Sequence, residues 1–276
     1  MAHSDTFPVR NVRFAMNEEV PRHWHGRGAA VTSFFNNLSI FFPPGERFFV
    51  AAVNHYRERI DDEQLLAEVK AFCGQEGFHS REHVRYNRML EAQGYGGQAL
   101  EARIDRVLRF VTRMTTPRLR LAATCALEHF TATLAHAILK DPRLLEGAHP
   151  VMAALWRWHA AEENEHKAVA FDVYTQVGGT WLERSWIMLV ATVIFWAIVA
   201  EQQVRFMRAD GVLFSPREWW SMLEFLWVKP GGLGGMWLHY LDYFRPGFHP
   251  WQLDNRALLE AWKREYERAP EYRLVS

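Results

Sequence analysis

Cysteine is scarce in this 276-residue chain: only Cys73 and Cys125, with no CxxC spacing. That excludes a disulfide framework and a thiolate-rich zinc site, and it fits a reducing compartment. Charge of one sign is not in excess either. Thirty-two Lys and Arg balance thirty-two Asp and Glu, interspersed along the chain, so there is no basic footprint for a nucleic acid. The opening stretch MAHSDTFPVRNVRF lacks the apolar run of a signal peptide. The expected location is therefore the cytoplasm, at most peripheral to the inner face of the membrane. The glycine-rich KPGGLGG (Lys229–Gly235) has no following GK[ST] and is no phosphate loop.

Strand-type alternation is also missing through the first two-thirds of the chain, whereas apolar residues are plentiful, at 49%. Residues 1–30 read as an irregular arm. Pro43-Pro44-Gly45 precede Glu46, which predicts a helix from about Glu46 to about Ile60. Asp61–Glu63 form a turn and an acidic start for a second helix over roughly 62–92, which GYGG ends. A shorter helix at about 98–114 leads to further ones at about 118–140 and 151–176, separated by DPRLLEGAHP and stopped by Gly178-Gly179. The expected class is all-α: a ferritin-like four-helix bundle, two pairs of helices joined by a long crossover.

The long helices carry metal-binding residue types in a set order. Glu46 lies on the first, Glu76-x-x-His79 on the second, Glu128 on the third and Glu163-x-x-His166 on the fourth. One ExxH arises easily by chance. The order E, ExxH, E, ExxH matches the way carboxylate-bridged dimetal bundles build their sites. With turns near residues 61 and 146, Glu46 and Glu76 each lie about 22 Å from the first turn at 1.5 Å per residue. By the same rise, Glu128 and Glu163 lie at about 26 Å from the second. Each pair therefore sits at one level. Such a carboxylate-rich set suits two divalent cations, iron first and manganese second, over a closed structural zinc. His159, one turn before Glu163, reads as a seventh ligand, a hydrogen-bond partner of a ligand or a surface residue. His83 is a weaker mirror case. Glu162 and Glu165 read as the solvated face of the same helix. Cys73 and Cys125 read as small core residues, and Tyr86 and Tyr174 as packing residues.

The segments PPGERFF, GQEGFHSREH, LEHFTA, WHAAEENEHKAVAFDVY and RPGFHPW resemble the bacterial family of predicted metal-dependent hydrolases over roughly residues 30–260. Separately, the spacing E, ExxH, E, HxxxExxH is similar to that of the non-haem di-iron arylamine N-oxygenases. That second resemblance implies a seven-ligand site, with His159 joining Glu46, Glu76, His79, Glu128, Glu163 and His166.

Nine of the twelve tryptophans follow residue 180. The organisation expected is one domain over 1–276, with the metal-binding bundle at 31–180 and an apolar, Trp-rich helical extension at 181–276. In that extension WIMLVATVIFWAIVA (Trp186–Ala200) runs fifteen residues without a charge, short of the ~20 a bilayer crossing takes. It reads as a core helix, or as one meeting a membrane surface or a second copy of the chain. The function expected is an oxygen-dependent di-iron oxidase or oxygenase acting on a hydrophobic small molecule, with an electron donor as partner. The alternatives are a hydrolase using metal-activated water and a non-catalytic metal-binding protein.

Overall fold

A computed structural model describes residues 6–17 and 19–268, and part of the expected N-terminal arm (residues 1–5 and 18) lies outside them. The described residues form helices, turns and coil, with no strand among them. The all-α expectation holds. In chain order the helices are α1 (Ala29–Asn54), α2 (Glu63–Ala92), α3 (Gly97–Met114), α4 (Pro117–Lys140), α5 (Pro150–His166), α6 (Val169–Gln176), α7 (Trp181–Ala209), α8 (Pro216–Trp227), α9 (Trp237–Asp242) and α10 (Arg256–Tyr266). The turns fall where the length argument needs them, between Asn54 and Glu63 and between Lys140 and Pro150.

Local chemistry explains most boundaries. The Asp62 carboxylate accepts from the amides of Gln64 and Leu65 and caps α2. Thr116 caps α4, with Pro117 at its first position. Gly179 must be glycine, because a Cβ there would fall 2.3 Å from a ring carbon of Tyr174.

α1 departs from expectation: it starts at Ala29, not near Glu46, and it contains both prolines. Its true start is set from afar. Gly28 takes φ +102°, and the Glu218 carboxylate of α8 accepts from the Ala30 amide at 2.9 Å. Pro43 has no N–H for the Ser39 carbonyl. The Asn87 side-chain amide of α2 donates to that carbonyl instead, at 3.2 Å. Tertiary packing thus carries the helix through a sequence that locally argues for a boundary.

The single helix expected over 151–176 is also two. It breaks just after His166, where the buried Lys167 ammonium donates to the Leu253 carbonyl at 2.6 Å and to Asn255 Oδ1 at 2.9 Å.

α1 packs on α2, α4 on α5 and α6, and α3 joins the two pairs. The N-terminal arm is irregular in backbone, yet Val12, Phe14, Val20 and Trp24 are buried. Glu82 of α2 accepts from the Phe14 amide at 3.1 Å, which pins the arm to the bundle.

The apolar stretch 186–200 is only the middle of a 29-residue helix, long and apolar enough by itself to cross a bilayer. One such helix is weak evidence of a crossing, because core helices meet the same length and hydropathy requirement. One stripe of α7 packs on α1 and α4: Asn37 donates to the Val199 carbonyl at 2.7 Å, and Phe130 stacks on Phe195 at 5.7 Å. Its opposite stripe, including Trp186, Leu189 and Val193, is exposed.

Candidate metal centre

The seven residues singled out by spacing converge. Glu46 from α1, Glu76 and His79 from α2, Glu128 from α4, and His159, Glu163 and His166 from α5 are all buried. Their donor atoms form three overlapping groups, Glu46/His79/His159, Glu76/His79/Glu163 and Glu76/Glu128/His166, each with its atoms within 4.8 Å of one another. The cluster lies between two apolar layers. His79 packs edge-on to Trp158 at 4.8 Å, and His166 edge-on to Phe72 at 5.0 Å.

Whether the set fits metal ions can be judged from its unsatisfied atoms. Buried polar atoms normally find hydrogen-bond partners. Here both carboxylate oxygens of Glu46, Glu76 and Glu128, together with Glu163 Oε2, His79 Nδ1 and His166 Nε2, have none. These are the atoms that face one another: His166 Nε2 lies 3.4 Å from Glu76 Oε1 and 3.7 Å from both Glu128 Oε2 and Glu163 Oε2. His79 Nδ1 lies 3.7 Å from Glu76 Oε2 and 3.8 Å from Glu163 Oε1. Unpaired lone pairs at this density are costly unless cations share them.

The remaining atoms of the two ExxH histidines point away and are held. His79 Nε2 meets Glu162 Oε2 at 3.0 Å, and His166 Nδ1 meets Gln75 Oε1 at 2.8 Å. Each ring then donates its outer N–H and turns its other nitrogen inward, the arrangement that orients a ligating imidazole. One arginine secures both supports. Arg10 Nη1 bonds Glu162 at 3.0 Å and Glu165 at 2.7 Å, and Nη2 bonds Glu165 at 2.8 Å. Glu165 in turn accepts from Gln75 Nε2 at 2.9 Å.

Glu162 and Glu165 therefore do not form a solvated face. They are 0% and 6% exposed, because Arg10 of the N-terminal arm covers and neutralises them. Arg10, Gln75, Glu162 and Glu165 escape a reading by spacing. Their partners come from segments far apart in sequence, and only the density of acids around Glu163 hinted at them.

His159 is buried, which removes the surface reading. Its Nε2 meets Glu163 Oε1 at 2.9 Å, and its Nδ1 meets His83 Nε2 at 2.9 Å. His83 Nδ1 continues to Ser39 Oγ at 2.9 Å. A polar thread thus runs from Glu163 to α1, and the His83 mirror position is a support for His159. Cys125 packs in the core and Cys73 is half-buried. Tyr86 donates to Asn36 at 2.7 Å, and Tyr174 hydrogen-bonds at the start of α7.

The electrostatics follow from burial and crowding. Burial, then the neighbouring Glu76 charge, raises Glu46 well above the usual carboxylate range. Burial and then Glu163 do the same to Glu128. Burial also acts on Glu163, but the hydrogen bond from His159 and the facing His166 imidazole outweigh it and hold this carboxylate well below its usual value. Burial opposes charge on His79, and the bond to Glu162 together with the facing Glu76 carboxylate overcome it, raising the imidazole. Burial and then the His79 charge lower His159 to about 4.

The geometry defines a class: an all-helical protein with a buried carboxylate–imidazole cluster able to hold metal. A family model described as predicted metal-dependent hydrolase matches residues 8–254. The chain belongs to that family. No curated protein and no solved structure matches it. The family description favours the hydrolase alternative over the oxygen-dependent reaction first expected from the spacing.

Proposed function

We propose that this chain is a ferritin-like, dinuclear metal enzyme that hydrolyses an apolar small molecule. The observation that carries the reading is the set of unsatisfied carboxylate and imidazole atoms turned toward one centre. Glu46, Glu76, His79, Glu128, Glu163 and His166 would hold two divalent cations, with His159 as a seventh donor. Four ionised carboxylates would balance the charge of two such ions, and the donor set suits iron or manganese. When bound, the ions would supply Lewis acidity and bring the pKa of a coordinated water near neutrality.

The residues themselves contribute orientation and dryness. Glu162 and Gln75 fix the rings of His79 and His166. Arg10 holds Glu162 directly and Gln75 through Glu165. Glu163, kept ionised beside His159 and His166, turns its unpartnered Oε2 toward the centre as a charged donor for a cation. Trp158 and Phe72 exclude water from the flanks. α3 lines the apolar space opposite α7, and its Arg106, Arg109 and Arg113 are solvent-facing. We infer that the exposed stripe of α7 and these arginines meet an anionic membrane surface.

An oxygen-dependent reaction is the second reading, and one observation favours it. Among the described residues, the lining of the apolar space beside Glu46 offers no lysine, arginine or free hydroxyl to steady a leaving group or a developing oxyanion. Anaerobic turnover separates the two. Release of acid from p-nitrophenyl acyl esters without dioxygen, abolished by chelation and restored by manganese or iron, supports the hydrolase. Inertness toward esters combined with dioxygen uptake by the reduced protein would overturn it in favour of the second reading.

A further inference from the structure

A cavity of about 220 Å³ lies between α1, α3, α4 and α7, with Glu46 in its wall. Its other walls are almost wholly hydrocarbon, including Phe42, Phe49, Leu127, Phe130 and Ile194. Two threonines also line it, but their hydroxyls are committed: Thr115 donates to the Val111 carbonyl at 2.6 Å and Thr131 to the Glu128 carbonyl at 3.0 Å. The carboxylate of Glu46 is thus the one polar side-chain group in the wall without a partner among the described residues.

The cavity is a slot, and the contacts between its helices give its register. Phe195 of α7 packs on Phe41 of α1 at 5.0 Å, and Val199 receives the Asn37 hydrogen bond. α1 and α7 therefore run in opposite directions, which sets Glu46 level with about residue 190 of α7. On α4, Arg118 pairs with Glu183 at 2.9 Å and Phe130 stacks on Phe195, so α4 and α7 run together. Lining residues extend along α7 from Ile187 to Ile198 and along α4 from Leu119 to Leu134. At 1.5 Å per residue the slot reaches about 12 Å from the level of Glu46 to Ile198, and the other way about 5 Å along α7 to Ile187 and about 9 Å along α4 to Leu119. Val190 and Ile194 both line the slot and are 36% and 41% exposed, so it meets the surface along the outer edge of α7. Phe110 and Met114 of α3 are exposed as well.

We propose that this slot binds one unbranched alkyl chain, placing the group to be transformed beside Glu46 and the tail along α7 toward Ile198. The proposal deepens the functional reading and rests on Glu46 belonging to the metal centre. Bonds of about 1.5 Å at about 111° advance a zigzag chain by ~1.25 Å per carbon, so 12 Å takes roughly nine or ten methylenes. The ligand class is therefore a fatty-acyl or alkyl compound of roughly a dozen carbons in all. The slot has no partner for the polar groups of a sugar, nucleotide or peptide, and burying them unpaired is costly.

The probes are straight-chain carboxylates from hexanoate to hexadecanoate, titrated calorimetrically into manganese-loaded protein, with metal content measured in the same samples. Affinity is expected to rise about threefold to fourfold per added methylene up to roughly a dozen carbons, then level off. Ala191→Phe, which puts a ring into the slot, is expected to weaken dodecanoate at least tenfold with metal content unchanged. Ile198→Phe is expected to move the plateau to chains about two carbons shorter, at ~1.25 Å per carbon. Equal affinity for hexanoate and dodecanoate in the unmodified protein would overturn the proposal whether or not either variant folds. So would an Ala191→Phe protein that melts normally and binds dodecanoate as before. Chain-length dependence in a protein that takes up no metal would uphold the slot and refute the metal reading; metal uptake with no chain binding would do the reverse.

Discussion

Replacing Arg10 with methionine separates the supports of the cluster from the cluster itself. The guanidinium makes three short bonds to two carboxylates, at 3.0, 2.7 and 2.8 Å, and the Arg10 side chain is only 9% exposed against 0% and 3% for the side chains of its partners. Methionine keeps much of the packing against Trp262, which lies 5.0 Å from the guanidinium. What is lost is the positive charge, leaving two buried glutamates without their main partner. Breaking a buried pair in this way costs about 3–5 kcal/mol. The lower end is expected here, because Glu162 keeps the His79 ring and Glu165 keeps Gln75 and, at 3.9 Å, Lys263. In a chain of this size that corresponds to a fall in melting temperature of roughly 10 °C. Because the supports of His79 and His166 lose the guanidinium that anchors them, metal affinity should fall, by up to about 10–100-fold. The assays are thermal unfolding and competition against a chelator of known affinity. Adding Glu165→Gln to the Arg10→Met protein should recover part of the stability, since the cost comes from uncompensated charge. Unchanged melting and unchanged metal affinity in Arg10→Met would refute the reasoning.

Other outcomes follow from the same structure. Asn87→Leu removes the donor that satisfies the Ser39 carbonyl beneath Pro43 and should cost about 1–3 kcal/mol in denaturant unfolding; a cost below 0.5 kcal/mol, roughly the floor for a useful hydrogen bond, would show the carbonyl is satisfied otherwise. Burial, then the nearby His239, lowers His136 to about 4, below its unfolded value. A histidine so shifted contributes stability above its unfolded pKa and loses it as pH falls from about 6.5 to about 4. His136→Gln should therefore flatten the acid side of the melting-temperature profile, and an unaltered profile would contradict the assignment. The α7 face should sediment with phosphatidylglycerol vesicles and not with neutral ones, and Val193→Asp should abolish this; indifference to lipid charge would remove the arginines of α3 from the account.

The candidate ligands were legible because helical rise and turn position are local properties: Glu46, Glu76, Glu128 and Glu163 needed only counted residues to be set at one level. What local sequence could not give came from partners distant in the chain. Pro43-Pro44 argues for a helix start, and only the Asn87 amide and the Glu218 cap reveal why α1 begins at Ala29. Glu162 and Glu165 look like surface acids until Arg10, about 150 positions away, closes over them. The break after His166 likewise depends on contacts from Leu253 and Asn255. Spacing located the centre, while its charge balance is tertiary.

The most direct measurement is metal content per chain after anaerobic reconstitution, for the unmodified protein and Glu128→Gln side by side. Two divalent ions per chain are expected in the former, with loss of at least one in the latter while its fold remains intact. No bound metal in the unmodified protein, or full occupancy in Glu128→Gln, would contradict the dinuclear centre.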